Sequence, residues 1–260
     1  MSGLFNSVDQ GVTLVNGGVG STYLNNINKF SFSGWVQVVS EIVASSQIVY
    51  FRNNAGTNPN NARLEVQLTA SAPARRVQLN ARAPDISAGV SLFSTGVIPI
   101  EPNIGFSAPS QFIAVTIDYV AQVAKIYING VLDSTFAAIA VAAATDATNT
   151  DAASMGFDFQ ATAQSFNGKL SDLRFYKGVV LTDDQVKTIY RMNGHDGFYG
   201  AARKDLQLRY QLGEEKGGAL LTTANVIDSS PAQVTNGFPF AMFGAPVYAD
   251  EYQAFRRTVP

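Results

Sequence analysis

Three segments of this chain keep a strict two-residue alternation of apolar and polar side chains. In Arg63–Thr69, Leu64, Val66 and Leu68 alternate with Arg63, Glu65, Gln67 and Thr69. In Arg76–Arg82, Val77, Leu79 and Ala81 alternate with Arg76, Gln78, Asn80 and Arg82. In Leu206–Leu212, Leu206, Leu208, Tyr210 and Leu212 alternate with Gln207, Arg209 and Gln211. Successive side chains point to opposite faces only on a strand, so this rhythm specifies β structure and excludes amphipathic helix at these places. A strand with one apolar face buries it most simply in an antiparallel sheet stacked on a second sheet. The expectation is an all-β sandwich whose strands each have one dry and one wet face.

Turn chemistry agrees. Asn129–Gly130 lies between Ile128 and Val131, and Asn-Gly is the strongest two-residue hairpin signal because both positions need φ > 0. Upstream, Ile113, Val115 and Ile117 can share a face with Ala124, Ile126 and Ile128 across a turn near Val120–Ala121. One short helix is predicted near 182–192. Thr182 caps it, Gln185 completes a capping box, Val186, Ile189 and Tyr190 form its apolar stripe, and Gly194 ends it. Ala137–Ala153 stays open between helix, by propensity, and strand then loop, by position. Asn53–Asn61 and Ala83–Ser110, rich in Pro, Gly and Asn, read as long loops.

Composition narrows the function classes. A chain of 260 residues buries roughly three quarters of its unfolded surface and suits one main sandwich. Charged residues make up 15%, against about 25% in an average domain, so Asn, Gln, Ser and Thr supply the polar surface, as in a protein covered by neighbours. A net charge of −2 argues against a grip on nucleic acid, which depends on basic residues neutralising phosphates. With no cysteine, disulfides and thiolate metal sites are excluded. No apolar core of signal-peptide length precedes Lys29, the first basic residue. The apolar run Ala137–Ala144 is far shorter than the ~18 residues a spanning helix needs. A protein made in a host cytoplasm, without a signal peptide or a membrane partner, is expected.

Several blocks, in order, resemble one family. They are FSFSGWVQV (Phe30–Val38), FIAVTIDYVAQVAKIYINGVLDS (Phe112–Ser134, with Tyr127, Asn129 and Gly130) and FNGKLSDLRFYKGVVLTDDQVKTIY (Phe166–Tyr190, with Gly168, Leu170, Arg174, Tyr176, Leu181 and Tyr190). Together they resemble the concanavalin A-like, laminin-G-like jelly-roll superfamily over roughly residues 12–191. The resemblance implies an antiparallel two-sheet jelly-roll sandwich over 1–200. The remaining segment, 201–260, carries LQLRYQLGEEKGG (Leu206–Gly218), VIDSS (Val226–Ser230) and NGFPFAMFGAP (Asn236–Pro246), which resemble the opening of the same domain. The chain's own start, GVTLVNGGVGSTYL, resembles the stretch that normally comes after that opening. The order therefore reads as circularly permuted, with 201–260 supplying the displaced strand Leu206–Leu212 and an extended tail. Termini of a domain often lie close together, which makes permutation structurally cheap. The expectation is that Leu206–Leu212 pairs beside Leu170–Tyr176 in its own sandwich. Two alternatives remain open: completion of a neighbouring copy's sandwich, or an incomplete second repeat.

Glycosidases of this superfamily need two carboxylates facing one sugar. Asp183–Asp184, Glu214–Glu215 and Asp250–Glu251 are adjacent pairs, which point to opposite sides of an extended chain and read as solvated turns. His195, beside Asp196, is the only histidine, and no nucleophile elbow accompanies it. NGGVGST (Asn16–Thr22) lacks the Lys-Ser/Thr of a phosphate loop. Arg75–Arg76 and Arg256–Arg257 read as surface or inter-subunit contacts. Relatives with this jelly roll often hold calcium on loop Asp or Asn. Asp146, Asn149 and Asp151, or Asn53, Asn54 and Asn58, are the candidates here, with ordinary polar loops as the blander reading. In lectin-like members an aromatic on an open sheet face stacks on sugar. Trp35 shares a face with Ser31, Ser33 and Gln37 and is the candidate for that role, against burial under a loop.

Two roles emerge. The first is a non-enzymatic structural protein of a virus particle, of the phage kind: a capsid decoration, knob or fibre-associated subunit contacting other virion proteins and copies of itself. The second is a carbohydrate-binding, lectin-like module recognising a surface glycan. An enzyme is not expected, and calcium is the only cofactor considered.

Overall fold

In the computed structural model the alternating segments pair into two antiparallel sheets. The structure describes residues 3–6, 10–13, 25–38, 46–51, 64–70, 75–84, 89–100, 110–145, 153–156, 166–192, 206–210, 238–241 and 247–248. Their strands are β1 (Gly3–Asn6), β2 (Gln10–Thr13), β3 (Lys29–Val38), β4 (Ser46–Phe51), β5 (Leu64–Leu68), β6 (Arg76–Arg82), β7 (Gly89–Val97) and β8 (Gln111–Asp118). Next come β9 (Val123–Ile128), β10 (Val131–Phe136), β11 (Ala153–Met155), β12 (Asn167–Lys177), β13 (Leu206–Tyr210), β14 (Phe238–Ala241) and β15 (Val247–Tyr248). The helix α1 spans Asp183–Met192. No helix among the described residues is long and apolar enough to cross a membrane.

One sheet runs β10-β9-β8-β3-β12-β1-β15, with β13 also paired to β12. The other runs β14-β2-β11-β4-β5-β6-β7. Between them lies one apolar core. Phe30, Phe32, Val36, Ile113, Val115, Leu173 and Phe175 come from the eight-stranded sheet, and Leu64, Val66, Leu68, Val77 and Leu79 from the seven-stranded one. These are the apolar positions of the alternation, and burying each such side chain stabilises by about 1.5–3 kcal/mol. This is the antiparallel jelly-roll sandwich expected from the sequence.

Local detail is set by the residues. Asn129 (φ 53) and Gly130 (φ 74) both take the left-handed conformation, which lets β9 turn directly into β10. Ile113, Val115 and Ile117 stand opposite Ile128, Ile126 and Ala124. At the preceding turn, the Val120 and Ala121 amides donate to Asp118 Oδ1 (3.0 and 2.9 Å). At α1 the Gln185 amide donates to Thr182 Oγ1 (3.2 Å), and the Thr182 amide donates to Gln185 Oε1 (2.8 Å). That is the capping box.

Leu206–Tyr210 lies in its own chain's eight-stranded sheet, antiparallel to β12, with Tyr210 opposite Leu173 and Leu208 opposite Phe175. It takes the C-terminal half of that β12 edge. β1 takes the N-terminal half, pairing Gly3–Asn6 with Leu170–Asn167. A strand from the last quarter of the chain and one from its start thus lie in series along one neighbour. Leu208 and Tyr210 both enter the shared core.

Two expectations need correction. Ala83–Ser110 is not one loop, because β7 occupies Gly89–Val97 and pairs with β6. Its Gly, Ser and Thr residues read as loop by composition, yet Leu92 reaches the core. The polar faces of β5, β12 and β13 are also not wet. Glu65, Gln67, Arg174 and Arg209 are all buried, because alternation decides which side a residue faces and not what covers that side. For Ala137–Ala153, residues 137–145 form no regular element and Ala153 begins β11.

Candidate functional site

The outer face of the seven-stranded sheet carries two transverse ladders, polar except for Phe93 at the end of one. In one, Ser154, Tyr50, Glu65, Asn80 and Ser91 stand opposite each other across β11, β4, β5, β6 and β7. In the other, Gln47, Gln67, Gln78 and Phe93 do the same across β4 to β7. Side chains opposite each other on one face lie within reach, and the amides form a relay. Gln47 Nε2 donates to Gln67 Oε1 (2.7 Å), and Gln67 Nε2 to Gln78 Oε1 (2.8 Å). Gln78 Nε2 donates to Asn80 Oδ1 (2.7 Å) and Ser91 Oγ (3.2 Å). Ser91 Oγ donates to Asn80 Oδ1 (2.7 Å), and Asn80 Nδ2 to Glu65 Oε2 (2.8 Å). Each amide fixes the orientation of the next, so the row is rigid rather than a set of swinging side chains.

Exposure rises along the row. Gln47, Glu65, Gln67 and Asn80 are buried, Gln78 and Phe93 are half-buried, and Ser91 is exposed. The face therefore opens toward β7. There the Phe93 ring lies 5.2 Å below the Arg76 guanidinium carbon, and Arg76 Nε donates to the Ser94 carbonyl. Planar amides and a hydroxyl at one edge, beside the stacked Arg76–Phe93 pair, form a surface that can hydrogen-bond vicinal hydroxyls.

The outer face of the eight-stranded sheet is built differently. Trp35, Phe112, Ala114, Tyr127 and Tyr176 project from it and are covered by Leu181, Val186 and Ile189 together with Leu206. Trp35 is 5% exposed, stacked on Tyr190 (5.7 Å, 27°) and edge-on to Phe112 (5.4 Å, 63°). A side chain at Gly130 would run into the Tyr190 ring, with a Cβ only 2.7 Å away, so α1 sits directly on the Asn-Gly turn. The start of α1 is held by Asp183 Oδ1, which accepts from Lys125 Nζ (2.7 Å) and Tyr127 OH (2.8 Å). These bonds, Lys125's first, hold the Asp183 carboxyl below its ordinary range. Burial, helped by Asp183, pushes the Tyr127 phenol well above its own.

Beside this cluster Asp172, with φ 48 in a β12 bulge, accepts one hydrogen bond from Arg174 Nε forked over both its oxygens (3.0 Å each) and one from Arg174 Nη2 (2.7 Å). Arg209 Nε of β13 adds another (2.7 Å). Burial pushes the Asp172 carboxyl up, but Arg174 and Arg209 together outweigh it and hold it below the ordinary carboxylate range. Burial pushes the Tyr176 phenol up to about 12, against the opposing pull of Arg174. The charges on this face bind strands to one another.

A family model for the concanavalin A-like lectin/glucanases superfamily matches residues 6–187. The chain belongs to that superfamily. A search of curated protein sequences finds no match. Among solved structures, a Bacteroides ovatus protein provisionally named a carbohydrate binding protein matches at 17% identity with a TM-score of 0.59, covering 96% of this chain and 60% of that one. The chain thus spans less than two thirds of that relative. The Ruminococcus gnavus IT-sialidase CBM40 bound to α2,3-sialyllactose matches at 19% identity, covering 73% of this chain and 96% of that one, with a TM-score of 0.55. A heptameric SAP-like pentraxin from Limulus polyphemus matches at 12% identity, covering 72% and 78%, with a TM-score of 0.51. At these identities the likeness is one of fold.

The structure thus gives this superfamily member a sealed face where the sequence pointed to a ligand. Trp35 lies in the cluster under α1, with no open ring face for a sugar. Asp146, Asn149 and Asp151, and Asn53, Asn54 and Asn58, lie outside the described residues. So do His195, Asp196, Asn16–Thr22, Glu214–Glu215, Asp250–Glu251 and Arg256–Arg257. Among the described residues no three His, Asp or Glu gather as a metal site. Asp183 and Asp184 form the first turn of α1 rather than a solvated turn between strands. Arg75 donates Nε to the Ile98 carbonyl (2.8 Å). Sequence reading passed over Gln78, Ser91 and Phe93. The alternation had already put Glu65, Gln67, Gln78 and Asn80 on the polar side, and two aligned rows of amides were the available signal.

Proposed function

We propose that this chain is a non-catalytic carbohydrate-binding module whose site is the outer face of the seven-stranded sheet at β5–β7. The observation that carries this reading is the relay Gln67–Gln78–Asn80–Ser91, ordered by its own hydrogen bonds and open at β7 beside Phe93. A preorganised row of amides loses little freedom on meeting hydroxyls, which is what a weakly hydrophobic, hydroxyl-rich ligand requires. The names of two structural relatives, a provisional carbohydrate binding protein and a sialidase CBM40 bound to sialyllactose, support the same reading. Trp35 has no ligand role in it. The virus-particle role draws no support from these relatives, although a glycan-binding module could also ride on a particle.

Binding of the isolated chain to an immobilised glycan panel tests the proposal. Saturable binding to at least one glycan is expected. It should fall at least tenfold in Gln78→Ala and Phe93→Ala while their melting temperatures stay within a few degrees of the parent. No saturable binding, or binding that both variants keep, overturns it.

A further inference from the structure

The arginines on the two sheets are used very differently. Arg174 and Arg209 are committed to Asp172 (2.7 Å each). Arg82 gives Nη1 to the Ala144 carbonyl (3.3 Å). Arg76, half-buried at the end of the polar face, spends only Nε, on Ser94 O, and rests over the Phe93 ring. It belongs to none of the ion pairs seen among the described residues, which join Lys29 to Asp118, Lys125 to Asp183, and Arg174 and Arg209 to Asp172. Its two terminal nitrogens have no acceptor among the described residues. A guanidinium fixed at Nε and against a ring, with its terminal pair free, presents the planar two-donor fork that a carboxylate fits and a lone hydroxyl does not.

Two further features set the direction of the fork. The register places Arg76 two residues before Gln78 on the same outer face, with a bulge between them opposite β7, so the charge stands at the end of the amide relay. The bulge is held by the Val77 amide donating to Ser94 Oγ (2.8 Å) and Ser94 Oγ donating to the Gly96 carbonyl (2.6 Å). The carbonyl that pins Arg76 therefore belongs to a fixed piece of backbone. Because the side chain is already ordered, pairing it with an anion costs less rotamer freedom than ordering an exposed arginine.

We propose that the module takes an acidic sugar, one carrying a carboxylate, with that carboxylate on the Arg76 terminal nitrogens and the sugar hydroxyls on Gln78 and Ser91. This rests on the carbohydrate-binding reading above and narrows it to one ligand class. A charge-assisted pair at such a site corresponds to about a tenfold or greater preference over the uncharged analogue.

The test uses matched probes on the full chain by calorimetry: oligogalacturonate against its methyl ester, and sialyllactose against lactose. In at least one pair the acid should bind at least tenfold tighter than its neutral partner, and less tightly as salt rises. Arg76→Gln should weaken the acid far more than its neutral partner and so erase that gap. Arg76→Lys, which keeps the charge without the fork, should keep only part of it. Equal binding of acid and neutral partners, with Gln78→Ala still harmful, overturns the ligand class and leaves the carbohydrate reading standing. An acid preference that survives Arg76→Gln places the anion elsewhere and overturns the assignment. Binding of no probe and of no glycan on the panel overturns both.

Discussion

The two outer faces of this sandwich use similar residue types to opposite ends. On the eight-stranded sheet, Trp35, Phe112, Tyr127 and Tyr176 lie beneath α1, and Asp172 clasps Arg174 and Arg209. On the seven-stranded sheet, amides clasp one another and lead outward to Gln78, Ser91, Phe93 and the Arg76 guanidinium, whose terminal nitrogens have no acceptor among the described residues. An aromatic ring or an arginine is therefore no guide to binding until its cover and its partners are known. The first face is a joint between strands and helix, and the second opens to solvent at its β7 edge.

The largest effects should come from breaking the joint. Asp172→Ala leaves the buried Arg174 guanidinium without its carboxylate, and a loss of about 3–5 kcal/mol in chemical denaturation is expected. Trp35→Ala opens a cavity under α1 and should cost about 3–5 kcal/mol as well. Any loss of glycan binding it causes should disappear at temperatures where the variant is fully folded.

Proton linkage sharpens the contrast. The Asp172 carboxyl is held below its ordinary range, so its stabilisation is complete above about pH 4 and lost as pH falls below that. Asp172→Asn should flatten the acid limb of the stability profile. The Tyr176 phenol is raised to about 12. Its contribution is complete below about pH 10 and lost between there and about 12. Tyr176→Phe should flatten the alkaline limb, read by unfolding at fixed denaturant across pH. Variants of the seven-stranded face should leave both limbs unchanged.

Smaller effects are expected at the edges. Thr182→Ala removes half of the capping box and should cost about 1 kcal/mol. Gln78→Ala takes the acceptor from the buried Gln67 amide and should cost about 1 kcal/mol, and Phe93→Ala, half-buried outside the core, should cost no more, while both weaken glycan binding.

Much of the frame was legible in the sequence, because it rests on local rules. Strict alternation marked β5, β6 and β13, Asn129–Gly130 marked the β9–β10 turn, and Thr182 with Gln185 marked α1. The strand β7 was hidden because Gly89, Ser91, Ser94 and Gly96 are loop-forming types, and only pairing with β6 orders them. The fate of Trp35 was not legible either. Whether its face is open depends on Val186 and Ile189, about 150 residues further along the chain. The site escaped for a related reason: Gln67, Gln78 and Asn80 are ordinary polar residues singly and become a relay only when β5 and β6 align them.

The most direct measurement is a titration of the nitrogen-labelled chain with its tightest-binding glycan, monitored through backbone and indole amide resonances. Shifts concentrated on Gln78, Asn80, Ser91 and Phe93, with the Trp35 indole and the α1 amides unmoved, are the outcome this account predicts. Shifts centred on Trp35 and α1, with β6 and β7 silent, would contradict it.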